Sequence, residues 1–488
     1  MRRNIHDDDV SGGRGKMTGS KWNETTSRRL LLAAASMVGL LTGLSFGNST
    51  AQAIGLNDAL AQAYLGNPTL DAARAQLRAT DEGVPQALSG WRPTVSAQVT
   101  AGPTWTHNGT KATGSETVSN RNQQFFPQTY SLTVTQPIFS GFGTVSSTKA
   151  AENRVRAGRA QLLDSERQVL LQAVQAYMAV VTDQSVLALR QNNVKVLAAE
   201  LQATQDRFQA GEVTKTDVAQ AEARLQGAIA DQTSAEGDLI AARSVYRQVI
   251  GQEPVQLTMP PPPPNIPAHE EEALNLAQQS PLVIEAQYSV DAAKNDIDTE
   301  FSQLLPSVSL QGSLDRTAES TSSHQEENAG TILGVLSVPL YQAGAPDSRV
   351  RQAKQLYQQV RKQLDEIRRE ADQQVVAAWQ ALETAQAQIT SFEEQVRSTA
   401  IALDGVRQEQ SVGARTVLDV LDAEQESLNA QVSLVTAQTN LVTARYQVLN
   451  AVGRLTAKDL ALNVPVYDPT KHYGDVRNKI WGTGPAVQ

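Results

Sequence analysis

The sequence contains no cysteine, and this absence excludes disulfides, thiolate metal sites and cysteine-linked lipid anchors. Its five histidines show no spacing typical of a zinc site, so we expect neither a metal nor another cofactor. A phosphate-binding loop and a recognisable Ser/His/Asp constellation are also missing from the sequence. These absences argue against an enzyme.

Aromatic residues are scarce as well, at 5% of the chain, whereas alanine, glutamine, leucine and valine are abundant. Few aromatic side chains make a large compact core difficult to build, while the abundant residue types favour long helices. The formal net charge of −9 argues against nucleic acid as a partner. The composition therefore predicts a mainly helical, acidic protein.

Long apolar runs are confined to the beginning of the chain. A run from Leu30 to about Phe46 follows two arginines and precedes Ala51-Gln52-Ala53, whose small residues suit cleavage. We therefore expect residues 1–53 to be a signal peptide rather than a membrane anchor, with Met17 as an alternative start. No later window offers about 20 apolar residues, so we expect no transmembrane helix and predict that the mature protein is exported.

Short motifs recur at fixed offsets along the remaining sequence. Asn67-Pro68 corresponds to Ser280-Pro281 at an offset of 213 residues, and Pro137-Ile138-Phe139 corresponds to Pro339-Leu340-Tyr341 at an offset of 202. Such self-similarity at a long period is typical of an internal structural duplication.

The duplication gives the chain two repeats. The first repeat spans 54–259, a stiff proline-rich linker spans 260–267, the second repeat spans 268–462, and a C-terminal tail without an assigned role spans 463–488. Each repeat is predicted to contain short helices, two strands and two long helices. The predicted strands cover about 94–103, 130–139, 307–315 and 331–341, and the predicted long helices cover about 142–209, 214–250, 346–410 and 416–452.

A glycine turn separates the two long helices of each repeat. Gly413 allows the left-handed conformation that ends a helix, and Thr416 with Asp419 provides an acidic variant of the capping box for the next helix. A near copy lies 202 residues earlier, at Gly211. The chain is therefore predicted to present two equivalent helical tips.

The predicted strands are about ten residues long and alternate apolar with small polar residues, which is typical of transmembrane β-strands. Amphipathic strands of a soluble sheet have the same pattern. Aromatic residues near the strand ends would suit membrane interfaces; they are Trp91, Trp105, Phe139, Phe142 and Tyr341. Four strands cannot close a barrel and eight leave a filled interior, so an open lumen would require about three chains and twelve strands.

The two glycine turns, Asn67-Pro68 and Gln136-Pro137-Ile138-Phe139 together resemble the TolC-like outer-membrane efflux and secretion proteins, over about 54–464. The resemblance implies a homotrimer in outer-membrane lipid, with a twelve-stranded β-barrel continued by a twelve-helix α-barrel in the periplasm. It also implies a non-enzymatic exit duct that binds a periplasmic adaptor and an inner-membrane transporter, for drug efflux or type I secretion.

The resemblance assigns roles to residues near the tips. Asp419 and Asp422 match an acidic pair at the periplasmic entrance, and Arg415 and Asp217 match a pair that ties the inner hairpin to its neighbour. Helix capping and surface charge are the alternative interpretation of the acidic pair. Gln410 stands where the family often has a tyrosine, which indicates that the closed state is held differently here.

The turns themselves match the family's adaptor-docking positions, Gly211, Glu212, Gly413 and Ala414. Glu212 departs from the small or apolar residue expected there. A periplasmic adaptor is the alternative function, because adaptors also contain a long helical hairpin. An adaptor usually carries one hairpin between β-domains, however, and this sequence predicts paired strands in each of two repeats.

Overall fold

A computed structural model describes residues 55–109, 120–319 and 325–484. The predicted signal peptide, residues 1–53, lies outside these ranges, as do parts of the polar segments between paired strands. No helix within the described ranges is both long and apolar enough to cross a membrane.

Helices make up most of the described chain. In chain order they are α1 (Leu56–Gly66), α2 (Pro68–Asp81), α3 (Gly83–Leu88), α4 (Gly143–Gln209), α5 (Lys215–Ile250), α6 (Glu270–Ala277), α7 (Pro281–Ser302), α8 (Ala345–Ser411), α9 (Val417–Ala451) and α10 (Lys471–Val476). The helices α4 and α8 contain 67 residues each, and α5 and α9 contain 36 and 35. At about 1.5 Å per residue, a helix of this greater length extends roughly 100 Å.

The end of α5 meets the beginning of α2, and the end of α9 meets the beginning of α7. Asn67 accepts a hydrogen bond from the amide of Thr69 and thereby caps α2, while its own side-chain amide donates to the carbonyl of Val249 near the end of α5, both at 2.9 Å. A Cβ at Gly453, just after α9, would lie 3.1 Å from the Cα of Ser280, just before α7. Proline at the first position of α2 and of α7 suits these junctions, because that position needs no backbone donor.

The long helices form a layer in which α5 and α8 lie on the outside. The helix α4 packs against α5 and α9, and α9 packs against α8; α5 also contacts α9 near the turns. Large apolar side chains remain exposed on the two outer helices. They are Ile229, Ile240 and Val245 on α5, and Leu356, Val376 and Ile401 on α8. A single chain therefore leaves this layer uncovered at both edges.

One antiparallel sheet with the strand order β1-β4-β5-β6 adjoins the helices, and β2 and β3 form a separate antiparallel hairpin. The strands are β1 (Thr94–Ala101), β2 (Thr104–Gly109), β3 (Asn120–Phe125), β4 (Gln128–Ser140), β5 (Ser307–Ala318) and β6 (Glu326–Ser337). The edge strands β1 and β6 come from different halves of the chain.

One face of the four-stranded sheet is apolar, and the opposite face is small and polar. Residues paired across neighbouring strands share a face, so Leu132 and Leu314 belong to the apolar face, while Thr133 and Ser313 belong to the polar one. Leu314 is 62% exposed although it lies on a central strand, and Ile332 on β6 is 79% exposed. The apolar face is therefore uncovered in the single chain.

The polar segment between the first two predicted strands is not simply a loop, because its described part contains β2 and β3. These strands pair in register from Thr104 opposite Phe125 to Gly109 opposite Asn120. Their sequences consist largely of polar residues and lack the alternation from which the other strands were predicted. The strand β6 spans Glu326–Ser337, so it begins and ends earlier than the predicted range 331–341.

The largest buried cluster lies where the short helices pack against α4, and it includes Leu60, Leu170 and Tyr246. Within this region the buried Glu166 of α4 accepts a hydrogen bond from the amide of Ala457 at 2.6 Å. Burial raises the pKa of Glu166. This bond holds the segment that follows α9 against α4.

Candidate functional site: the two helical tips

Two turns join the long helices, and we name them tip 1 (210–214) and tip 2 (412–416). Gly211 in tip 1 has a φ of +82°, and Gly413 in tip 2 has a φ of +80°. Apart from adjoining residues, no heavy atom of the described chain lies within 4 Å of the place where either glycine would carry a Cβ. Glycine is therefore favoured by the left-handed backbone conformation and not by crowding.

Each glycine completes a Schellman motif at the end of the preceding helix. In tip 1 the amide of Gly211 donates to the carbonyl of Phe208 at 3.0 Å, and the amide of Glu212 donates to that of Arg207 at 2.9 Å. Tip 2 repeats both bonds at the same distances. The local sequence thus fixes the same turn twice.

A reciprocal capping box then begins each following helix. In tip 2 the amide of Thr416 donates to Asp419 at 2.9 Å, and the amide of Asp419 donates to the Thr416 hydroxyl at 3.2 Å. Thr214 and Asp217 form the same box in tip 1. These hydrogen bonds to the ionised carboxylates lower the pKa of both Asp419 and Asp217, so both remain charged at neutral pH.

Asp422 is paired with an arginine that the sequence did not indicate. Its carboxylate lies 2.5 Å from the Nη2 of Arg224 on α5, so this ion pair joins the second hairpin to the first. Both side chains are substantially exposed, at 56% and 40%. Such a pair orients the two helices relative to one another more than it stabilises the fold, since exposed ion pairs usually contribute less than about 1 kcal/mol.

The structure does not bring Arg415 and Asp217 together within one chain. The Nε of Arg415 donates to Glu409 at 2.8 Å, within the second hairpin, whereas the carboxylate of Asp217 is bound in the capping box of tip 1. In the single chain, each of these two residues therefore makes its polar contacts within its own hairpin.

Gln410 reaches across to the first hairpin. Its side-chain amide lies 3.4 Å from the carboxylate of Glu200 on α4, which is a long hydrogen bond. Arg407 and Glu424 form a further ion pair between α8 and α9. The two hairpins are thus linked near tip 2 by Gln410 with Glu200 and by Asp422 with Arg224, whereas the pair of Arg407 and Glu424 lies within the second hairpin.

A small apolar cluster supports these polar links. Val417 and Leu421 of α9 are buried against Leu197 of α4 and Ala221 of α5. This contact fixes the beginning of α9 on the first hairpin, so the adjoining Asp419 and Asp422 are positioned by packing.

Arg224 could have been found from the repeat. Because α5 and α9 begin at equivalent caps 202 residues apart, Asp422 corresponds in position to Gln220. Arg224 follows Gln220 by one helical turn and is within reach of a carboxylate on the neighbouring helix. No comparable sequence pattern indicates that Glu409 and Glu200 are the partners of Arg415 and Gln410.

Within the described ranges, no three acidic or histidine side chains are grouped so that they could hold a metal ion. The tip carboxylates are instead engaged with helix caps and arginines. The polar groups of the tips are arranged for electrostatic contact and for holding helices together.

Comparisons with known proteins agree with this architecture. A family described as outer membrane efflux protein matches residues 59–252 and 274–454. The outer membrane efflux protein BepC of Brucella suis is 34% identical over 453 residues, covering 92% of this chain and 96% of BepC. The outer membrane protein TolC of Escherichia coli is 27% identical over 457 residues, covering 88% and 89% of the two chains.

Solved structures show the same fold. The crystal structure of the CmeC outer membrane channel of Campylobacter jejuni superimposes with a TM-score of 0.73 at 15% identity, covering 87% of this chain and 89% of CmeC.

Proposed function

Because the chain belongs to the outer membrane efflux protein family, we propose that it is the exit duct of an efflux pump or a type I secretion system. The family and the fold are those of outer-membrane channels, which are non-enzymatic conduits. In the proposal, three copies form one continuous tube, the sheets lie in the outer membrane and the helices extend into the periplasm. A periplasmic adaptor and an inner-membrane transporter open the tube at its helical tips.

The main support for this proposal is the exposed surface of the four-stranded sheet. This sheet has an uncovered apolar face, a small polar face and two unpaired edges, β1 and β6. A sheet in lipid must pair every edge, since unsatisfied backbone groups have no water to bind there. Pairing β6 of one copy with β1 of the next repeats the same head-to-tail contact until a ring closes. About three copies give twelve strands, enough for an open lumen.

The helical layer supports the same closure. Its exposed apolar residues lie on α5 and α8, the two outer helices. A ring of copies would place α8 of one chain beside α5 of the next, and twelve helices would then enclose the lumen. The matching lengths of α4 and α8, and of α5 and α9, support the proposed origin of the chain by duplication.

Tip 2 is the proposed gate. In a trimer, Asp419 and Asp422 would form two rings of three carboxylates around the entrance, a charge arrangement that attracts cations. Contact between Arg415 and Asp217 would then occur between neighbouring copies, because the single chain does not make it. Adaptor docking at Gly211, Glu212, Gly413 and Ala414 is part of the proposal. It is supported by the exposure of these turns and of the neighbouring Val412.

The proposal is tested by fractionating cells that produce the full chain and by measuring the mass of the purified assembly by native mass spectrometry. We expect detergent-dependent extraction from the outer membrane, a mass of about three mature chains, and ion conduction after reconstitution into planar bilayers. A monomer recovered from the periplasm without detergent would contradict the proposal and would favour the adaptor interpretation.

Cross-linking in cells, followed by identification of the inner-membrane partner, would define the cargo class. A drug-exporting partner indicates efflux, and a protein-exporting partner indicates type I secretion.

A further inference from the structure

The C-terminal tail returns along the short helices. The amide of Tyr467 donates to the hydroxyl of Tyr64 on α1 at 3.0 Å, and the Nδ1 of His472 lies 3.0 Å from the carboxylate of Asp81 on α2. Val476, at the end of α10, is fully buried. The tail is therefore a fixed part of the fold, and these contacts direct it toward the sheet.

The tail reaches the end of the sheet that adjoins the helices. Arg92, two residues before β1, donates from its Nη1 to the carbonyl of Lys479 at 2.8 Å. The preceding residue, Trp91, accepts a hydrogen bond on its carbonyl from the side chain of Gln136 at 2.9 Å. Gln136 is in register with Leu310 on the apolar face of the sheet. The tail is thus tied to the side of the sheet on which the apolar face lies.

The tail presents an apolar pair at this position, next to the cationic side chains of Lys479 and Arg92. Ile480 is 77% exposed and Trp481 is 88% exposed. Within the described ranges, neither Arg92 nor Lys479 forms an ion pair with a carboxylate; the Nη1 of Arg92 donates to the carbonyl of Lys479, and the Nζ of Lys479 donates to the carbonyl of Gly484 at 2.6 Å. The sequence from Val476 onward contains no acidic side chain. An exposed tryptophan beside cations that have no acidic partner is a typical combination at a membrane–water interface.

Aromatic residues at the same end of the sheet continue this surface. Trp91 is 39% exposed, Phe142 is 64% exposed and Tyr341 is 87% exposed. All three lie where strands join helices. Trp481 lies two residues after Lys479, whose carbonyl is bound by Arg92 at the same end of the sheet, and belongs to a part of the chain that contributes no described strand.

We propose that Ile480 and Trp481 insert into the periplasmic leaflet of the outer membrane beside the sheet, while Lys479 and Arg92 bind phosphate groups of anionic phospholipids. The tail then holds the short helices against the membrane surface and acts as a second anchor next to the strands. Two weak signals, an apolar insertion and a cationic contact, together give stable surface binding. This inference rests on the proposed location of the sheet in the outer membrane.

The absence of cysteine makes the test direct, because one introduced cysteine is the only site that a thiol-reactive fluorophore can label. Full-length Trp481→Cys, Leu314→Cys and Glu212→Cys proteins are each labelled with bimane and reconstituted into vesicles containing anionic phospholipid. Bimane fluorescence is then quenched either by phospholipid brominated near the carbonyl end of its acyl chains or by iodide in the water phase. Leu314→Cys reports on the sheet face, and Glu212→Cys is the aqueous control at tip 1.

We expect brominated phospholipid to quench the labels at positions 314 and 481, and iodide alone to quench the label at 212. Quenching of position 481 by iodide alone, with lipid quenching retained at 314, would overturn the tail proposal and leave the proposed function intact. Shielding of position 481 from both quenchers would also overturn it, because a second copy of the chain would then cover the tail. Loss of lipid quenching at 314 would contradict the proposed function and the tail proposal together.

The cationic contact has its own test in the labelled Trp481→Cys protein. Lys479→Gln should lower the apparent association of brominated anionic phospholipid with position 481 about fivefold, as expected for the loss of one interfacial cation. The matched control is Lys471→Gln, which removes an exposed lysine from α10 without approaching the sheet. Equal effects of the two substitutions would contradict a specific contact at Lys479.

Discussion

The two tips have the same backbone and different side-chain partners. Both contain a glycine near φ +80°, a Schellman motif and a Thr/Asp capping box. Among the described residues, only tip 2 is followed by an acidic residue bound to the other hairpin, through Asp422 and Arg224. Local sequence therefore determines the turn, whereas contacts between the hairpins distinguish the tip that we propose as the gate. This difference can be tested by making equivalent substitutions in both tips.

The largest effect on stability should come from the glycines. Gly211→Ala and Gly413→Ala each force a Cβ into the left-handed region, which costs roughly 1–2 kcal/mol. Because no described atom crowds either position, the two losses should be equal. Thermal unfolding of the two variants measures this, and a clearly larger loss at Gly413 would show that tip 2 is under additional constraint in the assembly.

The capping threonines should have the next largest effect. Thr214→Ala and Thr416→Ala each remove one side-chain acceptor from a helix beginning and should destabilise that helix by about 1 kcal/mol. Hydrogen exchange measured by mass spectrometry should show faster exchange confined to the altered tip. Thr→Ser at the same positions is the matched control and should retain most of the protection.

Removing the ion pair between the hairpins should change gating more than stability. Arg224→Ser frees Asp422 and should shift the balance between closed and open channels by up to about fivefold, the equivalent of an exposed ion pair of at most 1 kcal/mol. Single-channel recordings measure this shift. As a control, Arg247→Ser removes an exposed ion pair at the other end of α5 and should leave the balance between closed and open channels unchanged. A similar shift of this balance in both variants would mean that Arg224 has no specific role.

Acidification should have the smallest effect and should act on both tips alike. The native pKa values of Asp217 and Asp419 lie below their usual value of 3.8, so each carboxylate stabilises the folded state above that value. This contribution is lost as the pH falls from about 3.8 through the lower native pKa. Hydrogen exchange at about pH 3 compared with about pH 5, corrected for intrinsic rates, should increase in both tips, and a change in one tip alone would contradict equivalent capping.

The regular parts of the fold could be predicted because their determinants are local. Glycine followed by Thr and Asp marks the ends of the long helices, and alternating residues mark the strands of the four-stranded sheet. The hairpin β2–β3 escaped prediction because its polar strands carry no alternation. The sheet order, with β4 beside β5, depends on long-range pairing that no local pattern specifies.

The candidate site could be predicted only in part from the sequence, because some of its contacts are local and others are long-range. Caps at Asp217 and Asp419 follow from spacing within one helix turn. The repeat indicates Arg224 as a partner of Asp422, whereas Glu200, the partner of Gln410, is identified only from the packing of the hairpins. No sequence pattern indicates a role for the tail, because its path toward the sheet depends on long-range contacts such as the bond from Arg92 to the carbonyl of Lys479.

In the proposed duct, tip 2 surrounds the narrowest part of the lumen, and block of the channel by cations reports on the charge at that position. Asn at positions 419 and 422 keeps a capping acceptor but removes the charge, so Asp419→Asn combined with Asp422→Asn should weaken block of reconstituted channels by a trivalent cation about tenfold, or 1.4 kcal/mol. Asp231→Asn removes an exposed carboxylate from α5 outside the tips and should leave block unchanged. Undiminished block in the double variant would contradict the claim and place the constriction elsewhere.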